Sequence, residues 1–183
     1  AGIQGRDDEA AALIDTALAE TPGNPDLLWA KASFLEQAND IDGAIGIYEE
    51  LYAQNSNNQV VANNLASLLV TYRTDEASIA RAATVARRLR DTDFPPFQDT
   101  YGWLLYRQGS FEEAITYLEP AARALNQDPI VQFHLAKTYL ALGRNDEAKA
   151  QFEAALALVD EADPRAQIAE AKAEVERLST VSE

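Results

Sequence analysis

The feature that most constrains this chain is a short pattern that recurs along it about every 34 positions. An alanine follows a polar or acidic turn at Ala10, Ala44, Ala114 and Ala148, which are spaced 34, 70 and 34 positions apart. The middle interval is about twice the period, and the segment around Ala82 supplies the copy between. Self-similarity at such a period is typical of repeat architectures, in which each unit packs against its neighbours.

A second set of segments precedes these alanines and carries its own small residue in each copy. These residues are Ala32, Ala66, Gly102 and Ala136, spaced 34, 36 and 34 positions apart. A large residue follows each of them three positions later, which places both on one face of a helix. The small residue lets a neighbouring helix approach closely. One period therefore consists of two short helices, and the chain is predicted to be all-α.

These motifs resemble the tetratricopeptide repeat, a helix–turn–helix unit with the same period. Besides the alanines, the resemblance rests on the pairs Tyr101–Gly102 and Leu135–Ala136, on the turn glycines Gly5, Gly109 and Gly143, on the large residues Tyr48, Leu118 and Phe152, and on the small residues Ala17, Ala121 and Ala155. The early tryptophan position of the family departs from the pattern, since it holds Leu28, Ala62, Gln98 and Gln132. Several strings also resemble the C-terminal repeats of bacterial envelope members, including those that accompany exopolysaccharide export or protein sorting.

The resemblance covers residues 5 to about 160 and implies a right-handed α-solenoid of about four and a half helix pairs with a C-terminal capping helix. We expect residues 1–183 to form a single domain. Its parts are a half repeat at 6–22, repeats at 25–56, 58–91, 95–126 and 128–160, and a capping helix at 163–179. The half repeat lacks its first helix. We therefore expect the chain to be the C-terminal part of a longer protein, or this end to meet a partner.

The repeat at 58–91 is irregular. Ala66 and Ala82 are 16 positions apart, whereas 12 positions separate Gly102 from Ala114. The extra length adds about one helical turn, so we expect the segment RTDEASIA, residues 73–80, to extend the second helix rather than form a loop.

Local signals predict where several helices begin and end. Asp40 and Ser110 are expected N-caps, and Ser110 is expected to form a capping box with Glu113. Asp163, followed by Pro164, predicts the start of the capping helix. Pro120 falls inside a predicted helix, where it removes a backbone donor, so we expect a kink or an early stop there.

Composition excludes several classes of function. The formal net charge of −15 argues against binding to double-stranded nucleic acid or to anionic membrane surfaces. The chain has no cysteine, which excludes disulfides, thiol catalysis and thiolate metal sites. No apolar run approaches the ~20 residues that a membrane-spanning helix needs, so we expect no insertion into a membrane.

Catalytic and metal-binding motifs are equally sparse. A partial calcium-loop match at Asp40, Asp42, Gly43 and Glu49 has Ala38 at its first ligand position. His134 is the single histidine, and no metal ligand lies at a suitable spacing, so we expect a surface or interhelix histidine. The prediction is a non-enzymatic protein with no cofactor and no metal.

In the tetratricopeptide family, the first helix of each repeat lines a concave groove that takes peptides or helices of partner proteins. The resemblance places the following residues at that groove: Trp29, Ser33, Glu36, Asn63, Ser67, Asp99, Trp103, Tyr106, Phe133 and Lys137. Large aromatic residues on a rigid scaffold are typical binding anchors, and the four aromatic members of the set do not fit the interior positions of the repeat. Ordinary packing between repeats is the alternative explanation. Since Lys137 is the one basic residue in the set, we expect a partner segment with apolar residues and some basic character rather than a carboxylate clamp.

A cluster of basic residues is a second candidate surface. Its members are Arg81, Arg87, Arg88 and Arg90. They would form a dock for an acidic partner segment; the alternative is an ordinary solvated helix that balances nearby carboxylates.

The sequence thus predicts a protein–protein interaction scaffold whose partner is an unidentified protein. Two alternatives stay open. The chain could be a structural segment that self-associates through its N-terminal half repeat, or a regulatory appendage of an enzyme on the same full-length chain.

Overall fold

The computed structural model describes residues 4–181, with side chains from 9 to 180, and these residues form ten α-helices and no strand. The all-α prediction is confirmed. The chain divides into two compact units, residues 1–88 and 89–183, and a short 3-10 turn at Arg87–Leu89 lies at the division.

Unit 1 contains five helices. They are α1 (Gln4–Glu20), α2 (Pro25–Gln37), α3 (Ile41–Gln54), α4 (Gln59–Tyr72) and α5 (Glu76–Ala86). Helix α2 packs against α3 and α4 packs against α5, so each first helix lies beside its own second helix. Asparagine caps begin both first helices: Asn24 accepts from the backbone N–H groups of the first turn of α2, and Asn58 does the same for α4.

Unit 2 repeats this arrangement and adds one helix. Its helices are α6 (Pro95–Arg107), α7 (Phe111–Ala124), α8 (Pro129–Ala141), α9 (Asn145–Leu156) and α10 (Ala166–Val181). Helix α6 pairs with α7, α8 pairs with α9, and α10 packs against α9 and α8. Pro95 and Pro129 occupy the first helical position, where the missing backbone N–H costs no hydrogen bond.

The small residues of the repeat occupy the closest helix contacts. Seven of the predicted alanines have no exposed surface: Ala32, Ala44, Ala66, Ala82, Ala114, Ala136 and Ala148. A Cβ atom added to Gly102 would lie 2.7 Å from Leu118 Cγ, so α6 and α7 approach as closely as a glycine permits. Ala10 is the exception, because it is exposed on α1, which no helix precedes in the described part of unit 1.

The other repeat positions mostly agree with the sequence. Tyr48, Leu118 and Phe152 are buried. Gly109 and Gly143 have φ angles of +79° and +72°, the left-handed conformation that a helix-terminating glycine supplies. Gly5, in contrast, lies within α1 rather than in a turn.

Two predictions about the helix interiors need correction. Helix α7 continues through Pro120 to Ala124, so the early stop is wrong. Residues 73–75 are a non-helical connection between α4 and α5, so the prediction that RTDEASIA forms no loop is wrong for these residues, and the rest of the segment lies in α5.

The observed N-caps agree in part with those predicted from the sequence. Asp40 accepts a hydrogen bond from the Gly43 N–H, as a cap should. Ser110 is at the cap position of α7 but makes no side-chain cap bond, so the capping box does not form. Asp163 accepts from the Arg165 N–H, and α10 begins only at Ala166.

Candidate functional site

The candidate surface of unit 2 is built on a stack of three rings. The Trp103 indole lies 4.1 Å from the His134 ring on one side and 4.5 Å from the Tyr106 ring on the other, with interplanar angles of 13° and 6°. Trp103 and Tyr106 come from α6 and His134 comes from α8, so the stack joins two first helices. Phe133 contacts the indole from a tilted angle at 6.3 Å and packs against Phe152 at 5.9 Å.

A hydrogen bond fixes the far end of this stack. His134 Nδ1 lies 2.9 Å from Asp99 Oδ1, and both side chains are largely buried. Because a carboxylate can only accept, Nδ1 carries the proton in this bond. The imidazole is therefore held in one orientation against the indole. The prediction of an interhelix histidine is confirmed, and the surface alternative is wrong.

The exposure of the aromatic residues differs from the expectation. Trp103 is 8% exposed and Phe133 is 2% exposed, so these two are packing residues rather than open anchors. Tyr106, at the outer end of the stack, is partly exposed. The Trp103 Nε1–H is buried and has no hydrogen-bond partner among the described residues.

Lys137 is less free than the sequence suggests. Its Nζ donates to Glu170 Oε1 of α10 at 2.6 Å. Burial is the largest single influence and opposes the charge, but the hydrogen bond to Glu170, together with the nearby Tyr106 and Glu174, outweighs it and raises the pKa of Lys137 above its usual value.

In unit 1, three of the candidate residues lie against or near one buried tyrosine. The ring of Tyr48 meets Trp29 edge to face at 5.8 Å, and its hydroxyl donates to Glu36 Oε1 at 2.6 Å. Ser33 is partly exposed and lies near this hydroxyl. Burial, assisted by the Glu36 carboxylate, raises the pKa of Tyr48 well above its usual value, so the phenol keeps its proton.

Two adjacent asparagines of α4 extend this network. Asn64 Nδ2 donates to the Tyr48 hydroxyl at 3.0 Å, and Asn63 Nδ2 donates to Asn64 Oδ1 at 3.3 Å. Asn63 Oδ1 is buried without a hydrogen-bond partner in the described part of the chain. Ser67 lies one turn further along α4 and is partly exposed.

The arginines of the predicted basic dock divide between the two units. Arg81 Nε donates to Glu49 Oε1 at 2.9 Å, which supports the charge-balancing alternative for this residue. Arg88 donates to Asn57, and Arg87 is exposed. Arg90 belongs to unit 2, where the nearby Tyr101 and a hydrogen bond with Tyr117 raise its pKa. The basic dock stays a prediction.

Repeat register could have revealed the Asp99–His134 pair, which the sequence analysis missed. The two residues are 35 positions apart, close to one period, so they fall on neighbouring first helices. A second missed feature is a cleft of about 390 Å³ between α7, α8 and α9. Its polar groups largely satisfy one another: for example, Tyr139 donates to Glu119, and Gln132 donates to the Ala122 carbonyl.

The described residues also bear on metal binding and on insertion into a membrane. Within residues 9–180, no cluster of three or more histidine, aspartate or glutamate side chains could hold a metal ion. None of the helices in the described range is long and apolar enough to cross a membrane. The arrangement presents rigid side chains on helix surfaces, which suits recognition of another molecule.

A family model described as the tetratricopeptide repeat matches residues 3–68 and 105–175. A solved tetratricopeptide repeat protein of Thermus thermophilus is 24% identical with a TM-score of 0.66, and the match covers 97% of this chain and 92% of that one. No curated protein matches the chain.

Two further solved structures are similar. YrrB, described as a tetratricopeptide repeat protein with an unusual peptide-binding site, is 19% identical with a TM-score of 0.60, over 94% of this chain and 85% of that one. PilW, a type IV pilus biogenesis factor, is 20% identical with a TM-score of 0.68, over 98% and 86%. At these identities the likeness shows the fold alone.

Proposed function

This chain belongs to the tetratricopeptide repeat family, whose members generally serve as protein-interaction scaffolds, and from that premise we propose that it binds a peptide or helical segment of a partner protein. The binding surface is formed by the first-helix residues of each unit. The role is non-enzymatic: the chain holds a partner and does not transform it. The description of YrrB as peptide-binding supports this class of ligand.

The observation that carries the proposal is the position of Tyr106. It is partly exposed, and its inner face rests on the Trp103 indole, which is itself held by His134 and Asp99. A tyrosine ring held in this way loses little conformational entropy when a partner covers it. Such preorganised aromatic groups are typical hot spots of protein interfaces.

Charge suggests which segment the surface takes. The chain carries 30 acidic and 15 basic residues, and Lys137 of the unit 2 surface already pairs with Glu170. A partner segment with an apolar residue for Tyr106 and basic residues nearby matches this balance, because complementary charge speeds encounter and selects partners.

A second candidate function is self-association. Leu13 on α1 is 69% exposed, and a small cavity of about 80 Å³ is lined by other residues of α1 and by residues of α2, including Ile14 and Phe34. An exposed apolar helix face of this kind favours docking of a second helix.

Selection of a displayed peptide library on the full chain tests the main proposal. We expect enriched peptides to bind saturably, and Tyr106→Ala to weaken them at least about tenfold, the typical cost of truncating a hot spot. Tyr52→Ala is the matched control, because Tyr52 is a partly exposed tyrosine of the second helix α3. Failure to enrich any peptide, or equal affinity of the Tyr106→Ala variant, contradicts the proposal.

A further inference from the structure

The hydrogen-bond network of unit 1 runs in one direction, and its direction can be deduced. Glu36 is a carboxylate, which has acceptors and no donor, so the proton in its 2.6 Å bond comes from the Tyr48 hydroxyl. The hydroxyl oxygen must then accept from its other neighbour. Asn64 accordingly presents Nδ2 to Tyr48, at 3.0 Å.

The hydrogen-bond direction of Asn63, the last member of the network, follows from that of Asn64. Because Asn64 uses its amide nitrogen towards Tyr48, its oxygen faces Asn63, which must donate with Nδ2 at 3.3 Å. Reversing either amide would set two oxygens or two N–H groups against each other. Asn63 Oδ1 is therefore an acceptor, and it is the atom left buried without a partner in the described protein.

Asn63 Oδ1, the unpaired acceptor at this end of the network, could be satisfied by a donor from outside the chain. Each bond in the series polarises the next, so the Glu36 carboxylate increases the negative charge on Asn63 Oδ1. Asn63 is partly exposed although its oxygen is enclosed, so the oxygen lies just beneath the surface of α4. A ligand that contacts the exposed part of Asn63 would therefore come close to Oδ1.

Charge selects the kind of donor. Residues 1–88 contain thirteen acidic and six basic residues. Three of the basic residues pair with carboxylates away from this network: Lys31 with Asp15, Arg73 with Asp42, and Arg81 with Glu49. Ammonium and guanidinium groups carry donors only, which matches an acceptor in an acidic unit.

We propose that Asn63 Oδ1, at the end of the relay from Glu36, is the point where unit 1 takes a cationic N–H donor, the guanidinium or ammonium group of a basic side chain in the partner segment. This inference rests on the proposed function and assigns the chemistry of one contact within it. The relay residues Tyr48 and Asn64 are positioning residues, because they act on the ligand only through Asn63.

Small probes test the contact without a known partner. The full chain, labelled with ¹⁵N, is titrated with N-acetyl-arginine amide, N-acetyl-lysine amide and the uncharged N-acetyl-norleucine amide. We expect the side-chain amide signals of Asn63 and Asn64 to shift saturably with one or both cationic probes and not with norleucine amide. Comparison of the two cationic probes decides between guanidinium and ammonium. The absence of any shift at both amides, or an equal shift with norleucine amide, overturns the proposal.

Variants give an independent test of the same contact. Asn63→Leu keeps a side chain of similar size and removes the acceptor, so we expect the cationic probe to bind about tenfold more weakly, as read from the Asn64 amide. Asn63→Ala, which also lacks the acceptor, provides a second variant if circular dichroism shows that the leucine disturbs the fold. Thr84→Ala, an exposed residue of the second helix α5 in the same unit, is the control and should leave the affinity unchanged. Unchanged affinity in folded Asn63 variants overturns the proposal.

Failure of the Asn63 contact can be distinguished from failure of the proposed peptide-binding function. Selected peptides could bind although they contain no lysine or arginine, and they could bind the Asn63→Leu variant with unchanged affinity. In that case the proposed contact is wrong, while the interaction function stands. If no peptide is enriched but arginine amide still shifts Asn63, the contact stands and the peptide-binding function fails.

Discussion

Two glycine-to-alanine substitutions should change stability in opposite directions. Gly102 lies inside α6, and a Cβ atom there would be 2.7 Å from Leu118 Cγ and 3.1 Å from Tyr117 Cβ. Leu118 has no exposed surface, so it has little room to withdraw. Gly46 lies inside α3, where an added Cβ would meet no atom within 4 Å.

The magnitudes follow from two competing effects. Alanine in place of glycine stabilises a helix interior by about 1 kcal/mol. At Gly102 this gain is opposed by overpacking, which typically costs about 1–3 kcal/mol. We therefore expect Gly102→Ala to lower the free energy of unfolding by roughly 1 kcal/mol, and Gly46→Ala to raise it by about 0.5–1 kcal/mol.

Thermal and urea denaturation followed by circular dichroism measure both variants against the parent chain. A change of about 1 kcal/mol moves Tm by about 2–4 °C in a chain of this size, so the two variants should fall on opposite sides of the parent. If Gly102→Ala is as stable as Gly46→Ala, the close approach of α6 and α7 is not limited by Gly102 and the packing argument is refuted.

Three further perturbations have definite outcomes. Tyr48→Phe leaves the Asn64 amide without its acceptor and should cost about 1–2 kcal/mol in urea denaturation; a neutral result would contradict the hydrogen-bonded network. Burial and the hydrogen bond to a glutamate raise the pKa of Tyr139 to about 12, so its contribution to stability is complete below pH 10 and is lost between about pH 10 and 12. Tyr139→Phe should reduce the loss of stability over that interval, and an unchanged pH profile would count against this cause. Leu13→Glu should abolish any concentration-dependent dimer seen by light scattering, and a dimer that survives the substitution does not use α1.

The helix pairs and their small contact residues could be predicted because every repeat packs its two helices together through small residues at the same positions. Ala44 and Ala148 are buried for the same reason, since each lies where a second helix meets its own first helix. Ala10 carries the same signal but is exposed, because burial depends on a neighbouring helix and not on the residue itself. Pro120 shows the converse: a local breaker signal is overridden, and α7 continues through it.

The candidate site was harder to predict. The register placed Trp103 on the surface of a first helix, but the indole is buried because Tyr106 and His134 fold onto its two faces. That outcome depends on side-chain rotamers of two helices, which a one-dimensional pattern does not contain. The orphaned oxygen of Asn63 is similar, since it follows from hydrogen-bond directions that begin at Glu36 on another helix.

The central claim, that a partner segment docks on the first-helix residues, can be measured through the two tryptophans. The chain contains only Trp29 and Trp103, so a ¹⁵N-labelled sample should give two indole signals, one for each unit. On addition of a selected peptide, we predict that the Trp103 indole signal shifts and saturates with the same affinity as the binding isotherm, because the peptide covers Tyr106, which stacks on that indole. Saturable binding that leaves both indole signals unmoved would contradict the claim.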